Sequence, residues 1–333
     1  MNAEPQGRYW RHRLLVLALL ILGFTLRFPG IGQIPPGLYH DEAQHGLDAL
    51  SVLDGHLPLY FEANNGREPL FIYLVTASVA VLGRNPLAIR LPSAFVGLVT
   101  LAAIYDLART LWRREAGLWA LAVLSVTFWH VHLSRVGFRA VLLPLFTACY
   151  LSQAAKAIQR PGRTTGHWIA AGALYGASWY TYMAARFTPI AIAVIAGYGL
   201  IFHGEEMSRR WRGGLSFALA ALVVLLPLGV YTLQRPDVVL ARSGQVSIFN
   251  EEINGGKFWA TLTHHSVATA RMFVGRGDRI WRHNLAWRPV WDPALGLVFI
   301  IGVGVGLARF ARDPAGALAL LWTAAMALPT LLA

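Results

Sequence analysis

Two adjacent carboxylates, Asp41 and Glu42, are the residues of this sequence best suited to acid–base chemistry. They follow a stiff Pro-Pro-Gly turn at 35–37 and open a segment whose pattern predicts a helix over residues 42–53. Adjacent side chains diverge on a helix, so only one of the pair can reach a given reacting atom. We predict that Asp41 takes a proton from a hydroxyl group as a general base, with Glu42 as its orienting or hydrogen-bonding partner. The structural alternative is that Asp41 only caps this helix.

Several arginines and one tyrosine form a second group of candidates, which could bind an anion. Guanidinium groups donate paired, charge-assisted hydrogen bonds to phosphate oxygens and stabilise the negative charge of a departing phosphate. The predicted phosphate-binding residues are Arg67, Arg135, Arg139, Tyr182 and Arg186. Each of these arginines, taken singly, could instead extend its side chain to lipid headgroups.

Further polar residues are candidates for substrate contacts or for metal binding. The predicted substrate-binding residues are Glu68, His264, His265, Arg282 and His283. Adjacent or alternate histidines do not share a helix face, and no complete ligand set with zinc-like spacing is present. We therefore predict no metal site and no separate cofactor, with a divalent cation as the lesser alternative.

Long apolar helices must position these residues. The 333-residue chain is 56% hydrophobic and only 14% charged, whereas soluble domains have about 25% charged residues. Its apolar runs have the length of roughly 20 residues that a helix needs to cross the hydrocarbon layer. This pattern excludes a water-soluble fold and predicts an all-α, polytopic membrane protein.

The basic residues predict the orientation of the chain. The positive-inside rule places the clusters within 8–13, 109–114, 156–163, 209–212 and 309–312 in the cytoplasm, together with the N-terminus. An even number of crossings must separate successive cytoplasmic clusters, so the short run 69–83 is assigned to the outer interface. About nine transmembrane helices remain, over 14–31, 86–108, 117–134, 139–156, 168–185, 187–203, 214–233, 294–308 and 314–332.

The prediction leaves two long outer segments, 32–85 and 234–293, which hold most of the candidate residues. The first of these segments would carry interfacial helices. Many arginines remain on the outer side, against the usual bias, and an anionic ligand there would explain them. The net charge of +12 does not indicate nucleic-acid binding, because the arginines are spread over short loops without a compact basic domain.

Several motifs resemble the C-type membrane glycosyltransferases, which include the protein O-mannosyltransferases and the lipid A aminoarabinose transferase. The matching stretches are YHDEA at 39–43, GREPLFIY at 66–73, AIRLPS at 88–93, SR at 134–135, YTY and AR within 180–186, and RGD and RHNL within 276–285. The resemblance extends over essentially the whole chain.

This resemblance implies a polyprenyl-phosphate-linked sugar as the donor and a glycan, lipid or protein as the acceptor. It also implies inversion at the anomeric carbon, with Asp41 as the base and Arg67 beside the lipid phosphate. The chain reads Gly66-Arg67-Glu68-Pro69 where the aminoarabinose enzyme has Glu-Lys-Pro-Pro, so a metal role of that glutamate does not carry over. The family continues beyond the point where this chain stops, so we expect a single membrane-embedded domain over 1–333 that lacks the C-terminal spans.

Two other functions remain open at this stage. A transporter or flippase of a lipid-linked or anionic substrate would also need arginines, but such proteins place polar sites near the midplane between repeated halves. Here the ionisable residues cluster at the outer ends of helices, and no internal repeat is present. A noncatalytic remnant or assembly subunit is the third hypothesis. We expect the glycosyl transfer to occur on the outer face of the inner (plasma) membrane; no motif specifies the sugar, the acceptor or the oligomeric state.

Overall fold

The computed structural model describes residues 6–63, 66–160 and 164–332, and nearly all of its regular structure is helical. Within these ranges the only β-type pairing is an isolated antiparallel bridge between Phe61 and Arg67. The predicted all-α fold is therefore confirmed. The predicted basic cluster at 156–163 lies partly outside the described residues.

The chain divides into two compact units. The first unit comprises Met1–Leu57 and Leu70–Ser178. Its helices are α1 Gln6–Arg27, α2 His40–Leu53, α3 Leu70–Leu82, α4 Pro86–Leu111, α5 Arg114–Val126, α6 Phe128–Arg135, α7 Leu142–Gln159 and α8 Thr165–Ser178. A 3₁₀ turn, Arg139–Val141, leads into α7.

The second unit comprises Pro58–Pro69 and Trp179–Ala333. A 3₁₀ turn, Met183–Phe187, opens its first long helix. Its helices are α9 Thr188–Arg209, α10 Trp211–Gln234, α11 Pro236–Val246, α12 Glu251–Asn254, α13 Phe258–Val274, α14 Pro293–Ala308 and α15 Pro314–Leu332. The predicted outer loop 32–85 thus contributes residues to both units.

Five helices in the described chain are long and apolar enough to cross a membrane, or six with one bent pair. The five are Pro86–Leu111, Arg139–Gln159, Met183–Arg209, Trp211–Gln234 and Pro314–Leu332, and the bent pair is Arg114–Val126 with Phe128–Arg135. The predicted count of about nine is not confirmed. Two of the predicted spans form α8 and α14, which have 14 and 16 residues and are shorter than the roughly 20 that span the hydrocarbon.

The core of the first unit lies where α2, α3 and α4 pack together. The apolar run predicted as an interfacial helix forms α3 and buries Phe71, Ile72 and Val75 completely. Ala49 of α2 and Ala88 of α4 belong to the same buried cluster. Small residues on α2 and α4 let α3 approach closely, and this packing sets the position of α2.

A fully buried arginine, Arg27 at the end of α1, stabilises a break between α5 and α6. The two helices differ in direction by 60°, and the break leaves carbonyls at the end of α5 without helical partners. The Arg27 guanidinium donates to the carbonyls of Leu124 and Ser125 at 3.2 and 3.1 Å and to Nδ1 of His130 at 2.7 Å. Both terminal nitrogens of the buried cation therefore have acceptors, whereas its Nε has no hydrogen-bond partner among the described residues.

A glycine allows α4 to pack against α6. A methyl group at Gly97 would lie 2.2 Å from Oγ and 2.7 Å from Cβ of Ser134. We expect Gly97→Ala to destabilise the protein by about 1–3 kcal/mol, because overpacking forces the helices apart. Gly214→Ala in α10 is the matched control, since a methyl group there meets nothing within 4 Å. Thermal unfolding in detergent micelles measures both variants, and equal midpoints would contradict the close packing.

Candidate active site

Asp41 lies in the first turn of α2, with a partly accessible side chain. The helix begins at His40 and Tyr39 occupies the N-cap position, so Asp41 is not the cap. Its side chain is 20% exposed, and Oδ1 lies 3.5 Å from Nε2 of the exposed His40. The capping alternative for Asp41 is therefore wrong, because the helix starts two residues earlier than the pattern predicted. An accessible carboxylate in this position can exchange a proton with a ligand.

Glu42 faces the interior of the first unit instead. Its carboxylate accepts hydrogen bonds from Nε of Arg90 at 2.7 Å and from Nη2 of Arg90 at 3.2 Å. The backbone N–H groups of Gly137 and Tyr39 donate to the same carboxylate at 2.8 and 3.0 Å. Asp41 and Glu42 thus diverge, as expected for neighbours on a helix, and these bonds make Glu42 a positioning residue for α2.

Arg90 in α4 completes a network that fixes the loop before Asp41. Its side chain is 1% exposed, and Nη1 donates to the carbonyls of Ile31 at 3.1 Å and Pro35 at 2.7 Å. Nη2 donates to the carbonyl of Gly37. Sequence reasoning noted Arg90 within a motif but gave it no partner. The available signal was a lone arginine inside an apolar helix, which requires a counter-charge.

The first unit contains two of the arginines that were predicted to bind phosphate, and their surroundings differ. Arg135, at the end of α6, donates to four backbone carbonyls at the end of α1 and in the following loop, those of Leu26, Arg27, Pro29 and Ile34, over 2.8–3.3 Å. These described contacts are structural, since they satisfy the orphan carbonyls of a helix end. Arg139 opens the 3₁₀ turn before α7 and is half-buried. Its predicted role stays a prediction.

In the second unit, Arg67 is held by a tight backbone turn. Phe61 and Arg67 exchange two backbone hydrogen bonds, at 3.0 and 2.8 Å. Gly66 has φ +79°, and a Cβ atom there would lie 2.5 Å from the hydroxyl oxygen of Tyr60. The Arg67 side chain is buried, and its Nε donates to the carbonyl of Ala63 at 3.3 Å. Residues 64–65 of this turn lie outside the described chain.

Two further predicted residues of the second unit, Glu68 and Arg186, form an ion pair. Nη2 of Arg186 lies 3.5 Å from Oε1 of Glu68, whose side chain is 3% exposed. Nη1 of Arg186 donates to the carbonyl of Val239 at 2.9 Å. Tyr182 is extended and immediately precedes the 3₁₀ turn that carries Arg186. The structure therefore brings together residues that are far apart in the sequence and were predicted separately.

Helix α10 holds the Pro58–Pro69 segment through contacts that sequence reasoning missed. The hydroxyl of Tyr231 donates to Glu62 Oε1 at 3.0 Å, and Nη2 of Arg235 lies 3.4 Å from the same carboxylate. Deeper in α10, the hydroxyl of Tyr180 donates to the carbonyl of Val224 at 2.8 Å and accepts from the N–H of Leu228 at 3.3 Å. A hydroxyl inserted between these two groups interrupts the backbone hydrogen bonds of the helix beside Pro227.

The remaining predicted histidines and Arg282 lie in and near the segment between α13 and α14. Nδ1 of His283 lies 2.7 Å from Oδ2 of Asp278, and Arg282 Nη2 lies 2.8 Å from Nε2 of His283. Since Arg282 can only donate, this network assigns the imidazole proton to Nδ1. Burial alone would raise the pKa of Asp278, but hydrogen bonds from His283 and backbone N–H groups hold it below its ordinary value of 3.8. His265, next to His264 in α13, contacts the carbonyl of Leu331 at 3.2 Å.

Metal binding was the lesser alternative for the histidines. Across the described ranges, no three His, Cys, Asp or Glu side chains come together in a way that could hold a metal ion. The Asp278–His283 pair is complemented by an arginine, which is a donor and cannot be a metal ligand.

A family profile described as dolichyl-phosphate-mannose-protein mannosyltransferase matches residues 66–231. This range includes Arg67, Glu68, Arg90 and Arg186 and ends at Tyr231. A comparison with curated proteins gives no match.

Solved structures with the same fold are glycosyltransferases from an archaeon and a bacterium. The oligosaccharyltransferase AglB of Archaeoglobus fulgidus, in complex with an inhibitory peptide and a dolichol-phosphate, matches with a TM-score of 0.65 at 13% identity, covering 97% of this chain and 48% of AglB. Apo ArnT of Cupriavidus metallidurans matches with a TM-score of 0.56 at 15% identity, covering 97% of this chain and 59% of ArnT. ArnT bound to undecaprenyl phosphate gives a TM-score of 0.51 at 15% identity, with 97% and 60% covered. The chain thus spans about half of the length of these proteins.

The Glu42–Arg90 pair gives a direct test of the framework around Asp41. Glu42→Gln leaves the buried Arg90 cation without its counter-charge, and we expect a loss of about 3 kcal/mol in the free energy of unfolding. Glu115→Gln is the matched control, because Glu115 pairs with Arg113 at 3.7 Å on an exposed surface and should change stability by less than about 0.5 kcal/mol. Unfolding in detergent micelles measures both. Similar stability of the two variants would show that the buried pair does not hold the site.

Proposed function

We propose that the chain transfers a glycosyl group from a polyprenyl-phosphate-linked sugar to an acceptor hydroxyl, as a member of the C-type membrane glycosyltransferase superfamily that the family profile and the fold support. The observation that carries the proposal is the accessible carboxylate of Asp41, held at the start of α2 by the buried Glu42–Arg90 pair. The relatives AglB and ArnT, whose structures contain dolichol-phosphate and undecaprenyl phosphate, support a lipid phosphate as the carrier.

In the proposed reaction Asp41 is the general base. Its carboxylate takes the proton of the acceptor hydroxyl while the hydroxyl oxygen forms a bond to the anomeric carbon of the sugar. The bond between that carbon and the phosphate oxygen breaks on the opposite side, and its electron pair leaves with the lipid phosphate. The configuration at the anomeric carbon is inverted. Glu42 and Arg90 act only by positioning α2.

Arg67 and Arg186 are the proposed ligands of the donor phosphate, together with Tyr182, which immediately precedes the 3₁₀ turn that carries Arg186. Arg67 is buried, and a guanidinium in a water-poor environment stabilises the charge of a departing phosphate more strongly than one in water. Glu68 orients Arg186 through the ion pair at 3.5 Å. Arg139 and Arg135 are further candidates, and Arg135 also donates to carbonyls at and after the end of α1.

The proposal also includes the face of the membrane on which the reaction takes place. The described helices make the chain a multi-pass membrane protein. The basic clusters of the sequence support a cytoplasmic N-terminus and a reaction on the outer face of the inner (plasma) membrane.

Replacement of Asp41 tests the base. In proteoliposomes supplied with undecaprenyl- or dolichyl-phosphate-linked mannose and with peptide, glycan and lipid acceptors, we expect Asp41→Asn to lower the transfer rate about 100-fold or more. Asp54→Asn, in the exposed residue that ends the same helix, should leave the rate unchanged. Full activity of Asp41→Asn would exclude the assigned base. Donor binding without transfer by the unmodified chain would instead support a transporter or a noncatalytic subunit.

Replacement of Arg186 tests the phosphate site. We expect Arg186→Gln to weaken binding of undecaprenyl phosphate about tenfold or more, since charge-assisted hydrogen bonds contribute roughly 1.5–3 kcal/mol. Arg186→Lys keeps the charge and should recover part of the affinity. Arg209→Gln, at an exposed arginine 3.4 Å from Glu205, is the matched control. A fluorescence titration with a labelled lipid measures affinity, and unchanged binding by Arg186→Gln would remove this residue from the site.

A further inference from the structure

The segment between α13 and α14, residues 275–292, is strongly basic and is named the arginine loop here. It contains four arginines, Arg276, Arg279, Arg282 and Arg288, and two acidic residues, Asp278 and Asp292. Large apolar side chains of the loop are also exposed, among them Trp281 at 66% and Ile280 at 40%. Neither the family profile, which ends at residue 231, nor the proposed base and phosphate residues account for this combination.

The backbone of the arginine loop is fixed by close contacts. The N–H of Gly277 donates to the carbonyl of Trp287 at 3.2 Å, and the N–H of Trp287 donates to the carbonyl of Asp278 at 2.7 Å. A Cβ atom at Gly277 would lie 1.9 Å from the carbonyl oxygen of Arg288. Only glycine permits this close approach, so residues near the two ends of the loop are in direct contact and the loop has a defined conformation.

Side-chain contacts fix several of the basic groups in advance. The guanidinium of Arg276 lies 3.7 Å from the ring centroid of Trp287, a cation–π geometry. The buried amide of Asn284 donates to the carbonyl of Arg288 at 2.8 Å. Arg282 is held by His283, which is held in turn by Asp278. Because these groups are already ordered, little conformational entropy is lost when they bind an anion.

Exposed arginine and tryptophan side chains on one short loop match the chemistry of a lipid headgroup layer. Tryptophan prefers the membrane–water interface, and arginine is attracted to anionic phosphates there. The loop runs directly into α14, an apolar helix of 16 residues whose side chains Leu297, Val298 and Ile301 are more than half exposed. We propose that the arginine loop binds the phosphate headgroups of anionic membrane lipids, with Arg279 and Arg282 as the main contacts and Trp281 inserted between headgroups.

A labelled loop tests this proposal in defined bilayers. The single native cysteine, Cys149, is first replaced by serine, and Ile280→Cys is labelled with a polarity-sensitive fluorophore. The protein is placed in nanodiscs of phosphatidylcholine alone or of phosphatidylcholine with phosphatidylglycerol. We expect the neutral quencher acrylamide to reach the label less readily in the anionic discs. A label at Glu251→Cys, in the exposed start of α12, controls for general effects of the bilayer.

Charge variants then identify the contacts. We expect Arg279→Gln and Arg282→Gln each to lower the ratio of quencher-protected label to quencher-accessible label about fivefold. Arg279→Lys should keep the shielding, and Arg209→Gln, far away in the sequence, should not change it.

Three results would overturn the proposal. Equal quenching in both kinds of disc would show that the loop does not bind anionic headgroups, whether or not the variants fold. An equal response to dissolved inorganic phosphate would indicate a free-anion site. A response to undecaprenyl phosphate but not to phosphatidylglycerol would assign the loop to the donor site of the proposed function. The test measures no transfer, so its failure is distinguishable from failure of the catalytic proposal.

Discussion

The buried ion pair between Glu42 and Arg90 is the contact on which the geometry around Asp41 depends. Both side chains are at most 5% exposed, and an unpaired charge in such surroundings would cost several kcal/mol. The pair is tolerated because backbone groups satisfy the other atoms: three carbonyls of the loop before α2 accept from Arg90, and two N–H groups donate to Glu42. The same bonds fix the loop and the start of α2, so they determine where the neighbouring carboxylate is presented.

Arginine has a second structural use in the first unit, as a partner for backbone carbonyls at helix ends. Arg27 satisfies carbonyls at the end of α5, and Arg135 satisfies carbonyls at the end of α1. The fork of donors on a guanidinium is well suited to this role, because one side chain can reach several carbonyls. Counting arginines by topology alone assigns such residues to lipid anchoring or to ligand binding. Arg90 and Arg135 show that part of the predicted excess of outer arginines makes structural contacts with the backbone.

Local features of the sequence predicted more than long-range ones did. The apolar composition predicted the all-α membrane fold, and helical geometry predicted that Asp41 and Glu42 would diverge. The number of spans was not confirmed, because α8 and α14 are short and the bend between α5 and α6 occurs at Thr127, where the sequence has neither glycine nor proline. The Glu68–Arg186 pair joins residues more than 100 positions apart, and no pattern in a single sequence encodes such a contact.

The division of the chain into two units separates the two groups of candidate residues. Asp41 depends on packing and charge pairs within the first unit, whereas Arg67, Glu68 and Arg186 are held by contacts within the second. The Pro58–Pro69 segment lies between first-unit elements in the sequence, but Glu62 contacts Tyr231 of α10 and Arg235 just after that helix. Tyr60 packs in a cluster with Leu228 and Val239. Since each group is ordered by its own unit, a substitution that disturbs the Glu42–Arg90 pair should leave the Glu68–Arg186 pair intact. Base and phosphate ligands can therefore be altered independently, which is what allows binding of the donor to be separated from its reaction.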